Sequence, residues 1–232
     1  MVEVISVFNA AKNYLRGHAS FKIRGDEISL SSSSFVNGYY NLDYTHKTEK
    51  QLYNELVDEL QPTDVFYDIG ANLGFFSALA GVKGAKVYAF EPNPLTFNQL
   101  NQNLDANNVE YQLFQIALSD FEGKARLSRG RGPNPMAKLD ENGGYRVEVK
   151  EGDSLDIPKP DVVKIDVEGH ELEVLKGIKG ILKNTRPVIL YEVHSHQQVK
   201  KIDNFLEKMG YNTELLNRRS NNNQHFKAEA KK

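Results

Sequence analysis

The sequence contains no cysteine and no tryptophan. Without cysteine there is no disulfide, no thiolate-ligated zinc and no thiol nucleophile, although the compartment is left open. No apolar run approaches the length needed to span a bilayer. The first residues, Met1-Val2-Glu3-Val4, carry an early acid and only a short apolar stretch, so they do not read as a secretory leader. A cytoplasmic location is expected. Net charge is small too, -2 over 232 residues, so no overall field draws nucleic acid or anionic membrane to the protein. What is present is ordinary for a globular chain: 40% hydrophobic and 26% charged residues, which argues against disorder. The length suffices for one large domain with its own core.

The chain is organised around Val65-Phe66-Tyr67-Asp68-Ile69-Gly70-Ala71-Asn72-Leu73-Gly74-Phe75-Phe76-Ser77. Val65 to Ile69 is apolar and β-prone apart from Asp68, which predicts a short buried strand. Gly70 and Gly74 permit a tight turn or a close ligand. The helix that follows points free N–H groups back at that turn. An acidic strand end beside a bare turn is how an open α/β sheet holds a polar ligand. The dinucleotide fingerprint G-x-G-x-x-G needs one more glycine, and Asp68 would repel a pyrophosphate, so an NAD-dependent oxidoreductase is disfavoured. The pocket suits a ligand that is positive or donates hydrogen bonds. An ordinary βα turn with an Asp near a helix start would look similar.

Before this stretch, Val4, Phe8, Ala11 and Leu15 predict an amphipathic helix over 2–16, and Phe21 to Leu30 a hairpin turned at Gly25-Asp26. Ser31 to Asn41 reads as a loop. Leu52, Leu56 and Leu60 predict a helix over 48–60 with Thr48 as its cap. After it, strands and helices alternate: 65–69, 74–82, 86–90, 94–106 and 111–117. This pattern indicates a doubly wound, mostly parallel sheet. Glu91-Pro92-Asn93-Pro94 ends the second strand, roughly 20 residues beyond the glycine turn, where an acid can accept bonds from ribose hydroxyls. Ile116 and Ala117 end the third strand and are expected to border the bound ligand. Lys124 to Ser128 and Tyr145 to Val149 read as an extra antiparallel pair. The intervening loop is basic (Lys124, Arg126, Arg129, Arg131, Lys138) and suits either an anionic substrate or plain solvent. Tyr211 to Leu216 and Gln224 to Ala228 form a C-terminal antiparallel hairpin. Residues 1–47 are expected as an appendage of helix and hairpin, of the kind that often covers a substrate site in α/β enzymes, and 48–232 as the ligand-binding domain.

A second informative stretch runs from Asp161 to Gly177. Alternation puts Lys164 and Asp166 on one face of its strand, and Glu168, Gly169 and His170 turn into a helix. Such ionisable clustering at a strand end marks a candidate catalytic site, although Glu168 and Glu171 would also suit a helix N-terminus. Glu192 and His194 end the next strand on one face.

The form D-x-G-A-N-x-G at Asp68 to Gly74 resembles motif I of class I S-adenosylmethionine-dependent methyltransferases. K-I-D-V-E-G-H-E-x-x-V-L-K-G, following F-E-P-N-P, is similar to the FkbM-type family within them. Further matches are Ala117-Leu118-Ser119-Asp120, Ser154-Leu155-Asp156 and Arg186 to His194. The resemblance covers roughly residues 62–195. It implies a Rossmann-like fold, S-adenosylmethionine as cofactor, and methyl transfer to a hydroxyl, often on a sugar, glycolipid or other small metabolite. The implied cofactor contacts are Asp68, Gly70, Ala71, Asn72, Gly74, Glu91, Pro92, Asn93, Ile116, Ala117 and Asp166. A hydroxyl needs a base; Asp166, Glu168 and His170 are the candidates, with Lys164 orienting or polarising the acceptor. Asp166, Glu168, Glu192 and His194 also suit magnesium or a similar ion, but a general-base site needs the same residue types, so no metal is assigned. The rival functions are an RNA methyltransferase, disfavoured by the neutral charge and missing tryptophan, and a non-catalytic cofactor-fold binding protein, disfavoured by the acidic cluster.

Overall fold

The computed structural model describes residues 18–31, 49–128, 144–218 and 223–231. The expected helix over 2–16, the loop beyond Ser31, Thr48 and the loop bearing Arg129, Arg131 and Lys138 lie outside them. The described chain opens with a hairpin, β1 (His18–Ile23) and β2 (Asp26–Ser31). Its turn is Arg24-Gly25, both at positive φ (50° and 94°), as a two-residue turn between twisted strands requires. The sequence placed this turn one residue later; Asp26 instead pairs with Ile23.

Next, α1 (Lys50–Glu59), β3 (Val65–Ile69), α2 (Phe75–Val82), β4 (Lys86–Phe90), α3 (Pro94–Asn107) and β5 (Tyr111–Phe114) alternate as expected. The third strand, read through Ala117 from the sequence, breaks at Gln115. Its continuation, β6 (Ile116–Leu118), joins β7 (Gly123–Leu127) and β8 (Tyr145–Lys150) in a small separate sheet. There β7 and β8 are the antiparallel pair that alternation predicts, and β6 lies parallel to β8. The main fold resumes with β9 (Val162–Ile165), two short helices α4 (Glu171–Gly177) and α5 (Lys179–Asn184), β10 (Val188–Val193) and α6 (His196–Lys208). It ends in the hairpin β11 (Tyr211–Arg218) and β12 (Gln224–Ala230).

The main sheet runs β11-β12-β10-β9-β3-β4-β5. It is parallel from β10 to β5, while β12 and β11 are antiparallel. The chain works outward from β3 in one direction and from β9 in the other. Between these two strands the order reverses, which opens a crevice above their carboxyl ends.

Alternating side chains fill a core on each side of this sheet. Phe66, Val87, Ala89, Val162 and Leu190 pack with α1, α2, α3 and the first hairpin. Tyr67, Ile69, Phe90, Val163, Ile165 and Tyr191 pack with α4, α5 and α6. The same alternation assigns Asp68, Lys164 and Glu192 to the first face. Among the described residues no helix is long and apolar enough to cross a membrane.

The first hairpin is welded into the domain. Ile28 and Leu30 are fully buried in the first core. Asn103, also fully buried, donates to Leu73 O (2.7 Å) and accepts from Ser31 N (2.7 Å). One helical turn later, Asn107 accepts from Ser29 N (2.8 Å) and donates to Ser29 O (2.7 Å). Two amides of α3 thus complete the open edge of β2, a strand edge that must otherwise find partners. Asn103→Ala should destabilise the protein by about 2–4 kcal/mol, because it strands a buried N–H and a buried C=O. Urea unfolding checks this; an unchanged midpoint would show that the amide does not dock the hairpin.

Candidate active site

Chain reversal at the tip of β3 rests on three residues at positive φ: Gly70 (78°), Asn72 (52°) and Gly74 (85°). A Cβ on Gly70 would lie 2.0 Å from Asp166 O, so only glycine lets the end of β9 come this close. Gly70 N and Ala71 N both donate to Phe90 O (3.0 and 3.1 Å), which ties the turn to β4. Glu91 ties it again, accepting from Asn72 N (2.9 Å) and Asn93 N (2.8 Å). Asn93 then caps α3 through Leu95 N, with Pro94 in the first turn where no N–H is missed. Pro92 is half-buried beside it. Glu91 is buried, and burial lifts its pKa to about 7; the two N–H bonds oppose the lift, Asp68 adds to it and Lys164 opposes it.

Asp68 is fully buried and accepts from Ser77 Oγ on α2 (2.6 Å) and Lys164 Nζ (3.3 Å). The two strands put Asp68 and Lys164 side by side in parallel register. Lys164 Nζ also reaches Gly70 O (3.4 Å) and Asp166 Oδ2 (3.6 Å), and lies 5.0 Å from the centre of the Phe76 ring. Burial alone would lower its pKa, but Asp68 and Asp166 outweigh burial and raise it. The ammonium expected to orient an acceptor is therefore turned inward, under the glycine turn.

The line of charges continues across the crevice. His194 Nε2 stands 3.1 Å from Glu168 Oε2, 3.6 Å from Glu192 Oε1 and 4.0 Å from Asp166 Oδ1; its Nδ1 stands 3.2 Å from Glu171 Oε1. Burial lowers the His194 pKa, yet Glu168, Glu171 and Asp166 push it up to about 11, so these carboxylates favour a positive charge at this position. Glu192 goes the other way: burial and Asp166 raise it to about 8, with His194 and the Asn223 amide opposing. Its Oε1 accepts from Asn223 (2.6 Å) and its Oε2 faces His225 (3.3 Å). Of the four possible ion ligands read from the sequence, Asp166, Glu168 and His194 converge, whereas Glu192 groups with Glu49 and His225.

A pocket of about 420 Å³ opens over this cluster, lined by Glu168, His170, His194, Ser195, Gln198 and Lys201 among others. His170 Nε2 is 2.8 Å from Ser119 Oγ, and its Nδ1 is 3.8 Å from Glu173 Oε2. Gly177 makes the Ser119 contact possible, because a Cβ there would fall 1.8 Å from Ser119 O. Ile116 packs half-buried against the second core and Ala117 in the core of the small sheet. Lys124 and Arg126 are exposed on β7. Ser119, Ser77 and the pocket wall on α6 went unread as site residues. For Ser119 a signal existed: it lies in the Ala117-Leu118-Ser119-Asp120 match.

The methyltransferase FkbM domain family matches residues 68–213. The chain belongs to the FkbM methyltransferase family. It is 35% identical over 181 residues to the hexuronic acid methyltransferase AglP of Haloferax volcanii, covering 73% of each chain. It is 31% identical over 175 residues to the 31-O-demethyl-FK506 methyltransferase FkbM of Streptomyces tacrolimicus, covering 59% of this chain and 67% of that one. The fold matches the FkbM methyltransferase structure from Methylobacillus flagellatus with a TM-score of 0.59 at 17% identity, over 81% of this chain and 52% of that one.

This FkbM methyltransferase therefore uses S-adenosylmethionine, and its residues fit that cofactor. Asn72 Oδ1 is buried at the turn with no hydrogen-bond partner among the described residues, an acceptor set beside the Glu91 carboxylate. Both suit the hydroxyl and ammonium donors of the cofactor. The sign of the pH effect follows. With its pKa raised from 4.5 to about 7 in the folded state, Glu91 contributes stability below about 4.5 that is lost as pH rises through about 7. Over that upper window the carboxylate becomes a full acceptor for ligand hydroxyls. S-adenosylhomocysteine should bind more tightly at pH 8 than at pH 6. Glu91→Gln should bind about 10- to 100-fold more weakly at pH 8 and lose the pH dependence. Calorimetric titration reads both; an equal pH dependence in the variant would remove Glu91 from the account.

Proposed function

We propose that this protein methylates a hydroxyl oxygen of a sugar that carries an acidic group, of the uronic acid class. The observation that carries this reading is the pocket: polar side chains line it, its wall residue His194 lies 4.0 Å from Asp166, whose backbone meets the Gly70 turn, and Lys201 stands on its wall to meet a carboxylate. The likeness to a hexuronic acid methyltransferase supports the same substrate class.

When bound, S-adenosylmethionine supplies a methyl group on a sulfonium, activated for attack. Gly70, Asn72 and Glu91 hold the cofactor, with Asp68 supporting their turn from below. Asp166 lies between that turn and the pocket, close enough to serve electrostatically. An alcohol is a weak nucleophile until its proton leaves, so the pocket must contain a base. His194 does not serve, because both its ring nitrogens are engaged, Nε2 with Glu168 and Nδ1 with Glu171. His170 does: it lines the pocket, and Ser119 fixes the ring. The hydroxyl proton would pass to His170 as the new carbon–oxygen bond forms and the methyl carbon–sulfur bond breaks, with S-adenosylhomocysteine as the leaving group.

The test is a panel of acceptors (uronic acid glycosides, neutral glycosides and tRNA) with methylated product read by mass spectrometry. Uronic acid glycosides should be methylated on oxygen. His170→Ala should lower kcat by about 10²- to 10⁴-fold while S-adenosylhomocysteine affinity stays near that of the wild type. Methylation of tRNA alone, or full turnover in the variant, would overturn the reading.

A further inference from the structure

We propose that Asp166, Glu168 and His194 form a binding site for a divalent metal ion. Asp166 follows β9, Glu168 lies in the turn before α4 and His194 follows β10, so tertiary packing on the two central strands brings the three together. One ligand atom from each lies within 4.8 Å of the others. The separations are 3.1 Å from His194 Nε2 to Glu168 Oε2 and 4.0 Å to Asp166 Oδ1. Ligands held at about 2.1 Å from a common octahedral ion sit roughly 3 Å apart when adjacent and 4.2 Å apart when opposite. The cluster needs little adjustment to meet that geometry.

A second observation points the same way. Glu171 is fully buried. Its Oε1 is 3.2 Å from His194 Nδ1 and accepts from Gly169 N at 2.8 Å, while its Oε2 has no hydrogen-bond partner among the described residues. A buried carboxylate on the far nitrogen of a histidine is the usual outer support of a metal-binding imidazole. Here it aims Nε2 at the two carboxylates, and an ion bound there displaces the proton that those carboxylates otherwise hold on the ring. The turn carrying Glu168 is held in a demanding shape: Glu168 has a φ of 55°, and Gln198 Nε2 donates to Gly169 O at 2.6 Å. Strain of this kind persists where surrounding contacts fix it, and it clusters at ligand sites.

The set is mixed oxygen and nitrogen with no sulfur, which suits manganese, magnesium or zinc rather than a soft ion. Three protein ligands leave positions for water or for two oxygens of a pocket ligand. Ion binding is read directly, so the inference stands or falls apart from the methyl-transfer reading.

The experiment is titration of the full chain with Mn²⁺, following free ion by electron paramagnetic resonance. One saturable site per chain is expected. Glu168→Gln and His194→Gln should each weaken it at least tenfold. Glu171→Gln, which removes only outer support, should weaken it about 10- to 100-fold. Glu214→Gln, an exposed change on β11, should leave it intact. Thermal melting verifies that each variant is folded; if His194→Gln is not, Glu168→Gln decides. Absence of saturable binding, or binding undiminished in folded Glu168→Gln, would overturn the site.

Discussion

The buried contact between Lys164 and Asp68 is the interaction on which the rest of the site depends. Neither group is accessible, and a lone buried charge of either sign would be strongly destabilising. Parallel pairing of β3 with β9 sets them side by side, and Ser77 and Phe76 on α2 close the space above. The ammonium then extends to Gly70 O and Asp166. One cation thus fixes the underside of the glycine turn and Asp166, the first acid of the cluster beyond it. It does this at the point where the sheet order reverses and a crevice is unavoidable.

From there the charges alternate outward. Asp166 faces His194, and His194 is enclosed by Glu168, Glu171 and Glu192. This arrangement separates roles that a sequence pattern merges. His194 is enclosed by carboxylates on both ring nitrogens, Glu192 is drawn toward His225, and His170 is left at the pocket wall on its Ser119 contact. In the proposed reading, binding, positioning and proton transfer fall to different residues of one cluster, each decided by what it packs against.

Much of the fold was legible in the sequence because the strands are short apolar runs and the helices carry regular leucines. Those signals are local. The break at Gln115 was not legible: Tyr111 to Ala117 is a mostly apolar run with no glycine or proline to mark an end, and only the pairing of β6 with β8 shows the departure. The first turn was placed one residue late because positive φ falls on Arg24, a residue type that does not advertise it. In the site, the glycine turn, Glu91 and the cluster from Lys164 to His170 stood out by residue type and spacing. Their partners did not. Lys164 meets Asp68 across 96 residues, His170 meets Ser119 across 51 and His194 meets Glu171 across 23. The inward direction of Lys164 follows from those long-range contacts and from nothing nearby in the chain.

The central claim is that Lys164 acts through its buried contact with Asp68. A double-mutant cycle tests it most directly, with Asp68→Asn, Lys164→Met and the double variant compared by denaturant unfolding. Lys164→Met alone should cost about 3–5 kcal/mol, because it leaves a buried carboxylate unpaired. The double variant should be no less stable than the weaker of the two single variants. Losses that simply add would show that the two groups do not interact, and would contradict the account.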